Sequence, residues 1–304
     1  MLAAWEVAGA GAQTMAVIRA SFDWWVMVTN VNLTVVGADC KGVVARVTNH
    51  LFEIGANIEA IEERVRRREF RMMLQATFDD APDIKRLRRS LNALGKDLGM
   101  EIRMRAHLPR DRKRLGIFVT KETHCLDAIM AASRSGKLGL DPVFVLSNRK
   151  DLAPLAESHG LPFHYVPWGK QQVAERRVLQ RLETDDIDLI ALARFMRILS
   201  PDFCWRYPNR IVNVHPSLLP SFPGASAYRQ AWEHGVRVTG ATAHFVTPDL
   251  DQGPILAQKS VPVKRDDSVE EVRDRGQLAE ADVLVDALRM CVREDLDVHW
   301  GRVW

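Results

Sequence analysis

The stretch RIVNVHPSLLPSFPG, residues 210–224, carries an amide and an imidazole two residues apart, and three prolines and a glycine follow closely. Ile211 and Val212 are typical of a strand, in which alternate side chains point to the same side. Asn213 and His215 should therefore share one side, roughly 7 Å apart along the strand. The prolines restrict the following loop, so the pair would be held in place.

Short runs rich in Val, Ile and Leu recur through the second half of the chain, separated by helical segments. They are RLGIFVT, DPVFVLS, PFHYV, IDLIALA and RIVNVH. Such runs are typical of buried strands in a doubly wound, mostly parallel α/β sheet, and TGATAHFV and PILAQKSVPV predict a later antiparallel pair. In such sheets ligands bind where strands end, which is where Asn213 and His215 lie.

The first half of the chain has a different order of strands and helices. The order strand, helix, strand, strand, helix, strand predicts a ferredoxin-like βαββαβ fold with both helices on one face of a four-stranded sheet. We place this domain at residues 26–108 and the α/β domain at residues 112–304, joined by a charged stretch. Residues 1–25 are expected to form a tail or an extended start.

Composition narrows the classes of function. The chain has 304 residues with 47% hydrophobic side chains, enough for one large domain or two ordinary ones. A net charge of +3, from 42 basic and 39 acidic residues, argues against a nucleic-acid partner. The four scattered cysteines form no CxxC pair, which favours free thiols in the cytoplasm and argues against structural zinc. The apolar stretch WWVMVTNVNLTVVGA is too short and too polar for a membrane span.

Carboxylates follow a later predicted strand. HFVTPDLDQGPI, residues 244–255, places Asp249 and Asp251 in a turn bounded by proline and glycine. A carboxylate there could accept the His215 N–H and favour the protonated ring. Asn213 would donate to a developing oxyanion, while His215 and Asp251 would handle the proton of an attacking nucleophile. From spacing alone a packed or solvent-facing histidine is the more frequent outcome, so both interpretations stay open.

Two longer motifs resemble a known family. NVHPSLLPSFPG and GVRVTGATAHFVTPDLDQGPIL closely resemble the folate-dependent formyltransferases, over about residues 112–296. The catalytic pattern of that family, Asn-x-His followed by an Asp-x-Gly turn, falls on Asn213, His215, Asp251 and Gly253. The resemblance therefore implies a Rossmann-like formyltransferase domain with these three polar side chains as its catalytic trio.

The first half resembles an ACT domain, a small regulatory module that often binds amino acids. GADCKGVVARV matches the first strand-to-helix turn of that module, and GANI matches the entry to its second strand. The resemblance implies an effector site at Asp39, Lys41, Gly42 and Asn57. The alternative is that Gly42 and Asn57 only shape turns.

An ACT domain before a formyltransferase domain points to the deformylase branch of the family. VTKETHCLDAIM, LARFMRILSPDFC and GATAHFVTPDLDQGPI resemble the versions of that branch. The resemblance implies hydrolysis of 10-formyltetrahydrofolate to formate and tetrahydrofolate, without a metal or redox cofactor. The turn TKETHC after the first strand of the second half has no glycine with which to form a phosphate-binding nest, and Glu122 would repel a phosphate. A phosphorylated amine is therefore a poor substrate.

Some positions are closer to the transferases. HPSL, residues 215–218, stands where deformylases usually carry His-His-Ser-Phe, Arg197 stands where Gln is usual, and Arg229 where His is common. A 10-formyltetrahydrofolate-dependent transferase acting on a small, unphosphorylated amine is therefore an alternative. A non-catalytic folate or amino-acid sensor is a second alternative.

The resemblance also assigns supporting residues. Folate contacts are expected largely from backbone, at Arg197, Ile198, Leu199, Thr247, Asp249 and Gly253. Candidates for supporting the trio or lining the acceptor side are Lys121, Ser217, Arg229 and His244. An ACT-bearing chain is expected to form a homodimer or homotetramer, with the folate and an amino-acid effector as its small-molecule partners.

Overall fold

The computed structural model of the chain describes residues 29–66, 68–107, 112–293, 296, 298–299 and 302–303. The predicted tail, residues 1–25, lies outside the described residues. The chain divides between residues 109 and 110 into two compact units.

The first unit has the predicted order of elements. These are β1 (Thr29–Ala38), α1 (Val43–Glu53), β2 (Asn57–Arg66), β3 (Glu69–Phe78), α2 (Ile84–Leu98) and β4 (Met100–His107). The strands form one sheet in the order β2-β3-β1-β4, and all neighbours are antiparallel. The βαββαβ prediction is confirmed.

Alternation along the central strand explains why both helices cover one face of this sheet. Val31, Leu33 and Val35 on β1 are buried in a core shared with Val47 on α1 and Leu91 on α2. Because successive strand residues face opposite sides, this odd-numbered set covers one face only. The helices therefore occupy the same layer.

The second unit is built on a seven-stranded sheet. Its elements are β5 (Lys113–Val119), α3 (His124–Arg134), β6 (Leu140–Ser147), α4 (Ala153–Ser158), β7 (Phe163–Tyr165), α5 (Gln171–Thr184), β8 (Leu189–Ala193), α6 (Pro201–Arg206), β9 (Ile211–His215), α7 (Ala227–Glu233), β10 (Val238–Phe245), β11 (Ile255–Pro262) and α8 (Val269–Met290), followed by the short pair β12 (Val298–His299) and β13 (Arg302–Val303).

The sheet order is β11-β10-β9-β8-β5-β6-β7. Five strands run parallel, namely β9, β8, β5, β6 and β7, and β10 and β11 add an antiparallel edge. The predicted, mostly parallel α/β sheet is confirmed. The chain leaves β5 first towards β6 and then crosses to β8 on the other side, which creates the switch point where open sheets bind ligands.

Two apolar layers cover the sheet and decide which way the polar side chains of β9 point. Val212 and Val214 belong to the core that includes α3 and α8, whereas Ile211 belongs to the core that includes α5. Asn213 and His215 share the direction of Ile211, so they lie on the α5 side. Within the described ranges, no helix combines the length and hydropathy that a bilayer crossing requires.

Candidate functional site

His215 ends β9 and is almost fully buried, with 4% of its surface exposed. Its Nε2 lies 3.0 Å from the carbonyl oxygen of Phe222. A carbonyl can only accept, so Nε2 carries a hydrogen and donates it. The other ring nitrogen, Nδ1, faces Oδ2 of Asp251 at 3.4 Å. The ring is therefore held between two oxygen acceptors, and Nδ1 is the nitrogen that faces the carboxylate.

The loop of residues 216–226, here the β9 loop, is tied to the neighbouring strands. Thr242 Oγ1 donates to the Ser217 carbonyl at 2.6 Å and accepts from the Leu219 N–H at 3.0 Å. Gln258 Nε2 donates to the Leu219 carbonyl at 3.0 Å. Ser217 is buried, and its own hydroxyl donates to the Ser221 carbonyl. These bonds fix the loop that presents the Phe222 carbonyl to His215.

Asp251 lies in the loop of residues 246–254, here the β10 loop. Its side chain is 6% exposed, and Oδ2 accepts from the Gly224 N–H at 3.1 Å. Gly253 lets this loop pass close to β10, since an added Cβ would lie 1.7 Å from the Phe245 carbonyl oxygen. Thr247 stabilises the same turn by donating to the Asp249 carbonyl at 3.0 Å. The Asp-x-Gly pattern thus has a direct steric reason.

His244 connects Asn213 to the rest of the trio. The two residues are register partners on β10 and β9, and Asn213 Nδ2 lies 3.3 Å from His244 Nε2. His244 Nδ1 donates to the Phe245 carbonyl at 2.9 Å, and burial lowers the pKa of this histidine. A neutral ring with its hydrogen on Nδ1 leaves Nε2 free to accept from the amide. The same Nε2 lies 3.9 Å from Asp251 Oδ1.

The loop of residues 194–200, here the β8 loop, has a fixed backbone. Phe195 is buried, with its ring centroid 5.4 Å from that of Phe118. The N–H of Met196 donates to Thr120 Oγ1 at 3.1 Å, and the Ile198 carbonyl accepts from Gln171 Nε2 at 3.0 Å. Leu199 is buried, whereas Ile198 is 66% exposed.

Two further polar contacts anchor the β8 loop. The Ser200 N–H donates to Oε1 of the buried Glu175 at 2.7 Å. With the Asn148 amide oriented to satisfy its neighbours, its oxygen accepts from Arg197 Nε and Nη2 at 2.9 and 3.0 Å. The residues that anchor this loop were not predicted from the sequence, because each acts through a contact with a distant segment. They are Thr120, Asn148, Gln171 and Glu175.

The remaining predicted positions of this unit are exposed. Lys121 and Arg229 are exposed, and among the described residues neither forms a hydrogen bond or ion pair with the trio. Asp249 is exposed as well. In the turn before α3, Glu122 accepts from Gln277 Nε2 at 3.2 Å.

Three of the four predicted effector residues lie in one exposed turn, whereas the fourth, Asn57, is level with the start of β1 at the opposite end of the sheet. Asp39, Lys41 and Gly42 connect β1 to α1, and the Asp39 N–H donates to the Arg68 carbonyl at 2.9 Å. Gly42 has φ 85°, a conformation that favours glycine. Asn57 begins β2, and its amide donates to Glu59 at 2.6 Å.

Comparison with known proteins identifies the family. The formyl transferase family model matches residues 113–288, and the ACT domain model matches residues 30–105. A formyltetrahydrofolate deformylase from Bacillus subtilis is 38% identical over 266 residues, which are 86% of this chain and 88% of that protein. The chain belongs to the formyltetrahydrofolate deformylase family.

Solved structures agree with this assignment. A deformylase of this name from Pseudomonas syringae pv. tomato aligns with a TM-score of 0.62 and 30% identity, covering 96% of this chain and 98% of that one. A glycinamide ribonucleotide transformylase from Symbiobacterium toebii aligns with a TM-score of 0.61 and 34% identity. It covers 65% of this chain and 95% of its own. The deformylase thus aligns with both units, whereas the share of this chain that the transformylase covers is close to that of the second unit alone.

A buried ionic cluster, here the Glu280 network, lies beside the site in this deformylase-family chain. Glu280 on α8 has no exposed surface. It accepts from the Tyr228 hydroxyl at 2.9 Å, and its Oε2 lies 3.1 Å from His124 Nε2 and 3.4 Å from Arg194 Nε. The sequence signal was an acidic residue among small and apolar residues on the buried face of α8, and it was missed.

His124, Cys125 and Glu280 also lie close enough to consider a metal, since their donor atoms fall within 4.8 Å of one another. Their chemistry fits an ion-pair network better. Both Glu280 oxygens already have partners, one of them the cationic Arg194, and burial raises the pKa of the Cys125 thiol well above its ordinary value. Metal ligation requires the thiolate.

We expect Gly253→Ala to misplace the Asp251 carboxylate. The new Cβ must push the β10 loop from the Phe245 carbonyl, and a displacement of about 1 Å can cost about 100-fold in rate. The rate of formate release from 10-formyltetrahydrofolate measures the effect. Gly169→Ala is the matched control, since an added Cβ there has nothing within 4 Å. Equal rates for the two variants would contradict the steric role of Gly253.

His244 should make stability dependent on acid pH. Its folded pKa lies below the ordinary value of 6.5 because of burial, so protons bind the unfolded chain first as the pH falls. The stabilisation is complete above about pH 6.5 and is lost below it, by at most about 1.4 kcal/mol per pH unit. Urea unfolding of the protein and of His244→Gln at pH 7.5, 6.5 and 5.5 measures the difference. A difference in unfolding free energy that stays constant over this range would be inconsistent with the lowered pKa.

Proposed function

We propose that the chain hydrolyses 10-formyltetrahydrofolate to formate and tetrahydrofolate, with Asn213, His215 and Asp251 as its catalytic residues. The observation that carries this proposal is the buried pair of His215 Nδ1 and Asp251 Oδ2 at 3.4 Å, linked to Asn213 through His244. Family membership supplies the substrate class, because the matching relatives carry the name formyltetrahydrofolate deformylase.

The geometry suggests how the protons move. A water molecule attacks the formyl carbon, its oxygen forms the new C–O bond, and the carbonyl electrons move to the formyl oxygen. Asp251 and His215 Nδ1 take up the proton of the water, and the ring keeps its Nε2 hydrogen on the Phe222 carbonyl. When the C–N10 bond breaks, the imidazolium gives this proton to N10, and the formic acid loses its remaining proton to solvent and leaves as formate.

Asn213 is the proposed oxyanion donor. One amide hydrogen goes to His244 Nε2, which leaves the second hydrogen for the developing negative charge. The neutral His244 therefore orients the amide without adding a charge. These roles require acid–base and hydrogen-bonding groups alone, so the proposed reaction calls for no cofactor besides the folate.

We propose that the folate ring is held between the β8 and β10 loops, by Arg197, Ile198, Leu199, Thr247, Asp249 and Gly253. The support is a backbone already fixed by Thr120, Gln171 and Glu175, so that little order is lost on binding. Exposed apolar side chains on both loops, Met196, Ile198 and Leu250, offer surface for a flat ring. Fixed carbonyl and N–H groups suit the donors and acceptors of a pterin.

Asp251→Asn should reduce formate release by at least about 1,000-fold and preserve folate binding, because the amide keeps the shape but cannot take a proton. Formate production is measured with 10-formyltetrahydrofolate alone, and binding is measured by calorimetry with tetrahydrofolate. Asp274→Asn, an exposed carboxylate paired with Arg273 on α8, is the matched control. Unchanged turnover in Asp251→Asn would refute the catalytic role, and no formate from the unmodified protein would refute the hydrolase itself.

We also propose that the ACT unit binds an amino acid at the turn that carries Asp39, Lys41 and Gly42, a site that Asn57 of the same unit does not reach, and that the chain associates into dimers or tetramers through this unit. Support comes from the exposed β1–α1 turn and from exposed apolar residues of the same unit, Phe52, Ile61 and Val65. Ile61 and Val65 lie on β2, an edge strand with free pairing capacity. All four cysteines are free thiols, which is consistent with a reducing cytoplasm.

Glycine or methionine should change the rate of formate release by binding the ACT unit. Asp39→Ala should raise the half-saturating concentration of that amino acid at least about tenfold, because a carboxylate that binds an ammonium group contributes a charged hydrogen bond. Kinetic titration measures the response, and light scattering measures the assembly with and without the amino acid. A monomer without any response to either amino acid would contradict this proposal.

A further inference from the structure

The Glu280 network joins four segments that are distant in sequence. His124 is the first residue of α3, Arg194 follows β8, Tyr228 lies on α7, and Glu280 lies on α8. His124 Nε2 and the Tyr228 hydroxyl form hydrogen bonds with the Glu280 carboxylate at 3.1 and 2.9 Å, and Arg194 Nε forms an ion pair with it at 3.4 Å. Burial and the neighbouring carboxylate raise the pKa of the Tyr228 hydroxyl, which therefore remains a donor.

The network fills its space closely. Glu280 and Tyr228 are buried, and a Cβ added at Gly276 would lie 2.1 Å from the Tyr228 ring. Glycine at this helix position therefore allows the ring to rest directly on α8. Withdrawing Arg194 would leave the buried Glu280 carboxylate without its cationic partner, and withdrawing Tyr228 would remove one of its hydrogen bonds.

Strand register places this network next to the catalytic histidine. Leu192 pairs with Asn213, so Arg194, two residues on, leaves β8 at the level where His215 ends β9. The network extends to α3 and α8, which cover the Val212 face of the sheet, whereas the trio and the β8 loop lie on the α5 face. The network therefore borders the reaction centre on the side away from the proposed folate loops.

We propose that the Glu280 network determines the choice of acceptor: it occupies the side of the formyl carbon from which an amine would approach, and leaves room for water alone. This inference rests on the proposed hydrolase function. With an amine, the nitrogen would bond to the formyl carbon, the C–N10 bond would break, and the amine proton would reach N10 through His215. The trio can perform these steps with either nucleophile, so access decides between them.

The test compares two nucleophiles in variants that open the network or keep its shape. Each protein is incubated with 10-formyltetrahydrofolate and glycinamide, and formate and N-formylglycinamide are quantified by mass spectrometry. Glu280→Ala should raise the ratio of formylated amine to formate at least about tenfold, while Glu280→Gln, which preserves volume, should stay near the unmodified protein.

His124→Ala is a second variant that removes a side chain of the network. It carries less risk to folding, since the His124 side chain is 15% exposed at the start of α3. It should shift the ratio in the same direction. Asp188→Asn is the matched control: this carboxylate accepts from the Arg114 N–H at 2.8 Å, at the opposite end of the sheet. It should leave the ratio unchanged.

The outcomes separate this inference from the proposed function. Formate released by the unmodified protein without glycinamide supports the hydrolase, whatever the variants do. No formylated amine from folded Glu280→Ala or His124→Ala would overturn the role of the network. That role would also be overturned if the unmodified protein already formylates glycinamide as fast as it releases formate.

Discussion

The site depends on one buried ring held between two oxygen acceptors. Because the Phe222 carbonyl occupies Nε2 of His215, only Nδ1 is left to work with Asp251. This arrangement requires the β9 loop to fold back so that the Phe222 carbonyl reaches His215 at the end of β9. Phe222 adopts a left-handed φ of 51°, an unfavourable conformation for a side chain of its size. The bonds from Thr242 and Gln258 supply the compensation.

The antiparallel edge of the sheet has a functional consequence of its own. β10 contributes Thr242, which is the register partner of His215 and holds the β9 loop. Two residues on, His244 is the partner of Asn213 and orients its amide. Both side chains share the direction of Asn213 and His215 because register partners point to one face. One strand thus positions both polar residues of its neighbour, and the turn at Gly253 brings Asp251 close to His215.

The sequence predicts the fold well because its signals are local. Apolar runs such as Leu189–Ala193 indicate buried parallel strands, and alternation places Asn213 and His215 on one face. The link through His244 and the Glu280 network could not be predicted in the same way, because they depend on which distant segments meet. The Phe222 contact uses a backbone carbonyl, which has no residue-type signature at all. Ser217 is an example: the sequence suggests a side chain that supports the trio or lines the acceptor side, but its hydroxyl donates to the Ser221 carbonyl within the β9 loop.

Charge is distributed unequally on the two sides of the strand ends. On the α5 side the His215–Asp251 pair can exchange protons, and burial keeps His244 neutral beside it. On the α8 side the Glu280 carboxylate, whose side chain is 1% exposed, pairs with Arg194, whose side chain stays 20% exposed. Hydrogen bonds from Tyr228 and with His124 fix the orientation of the Glu280 carboxylate, which apolar side chains of equal volume would not do. In the proposed reaction, this fixed cluster bounds one side of the strand ends, and the proton-exchanging pair faces the nucleophile on the other.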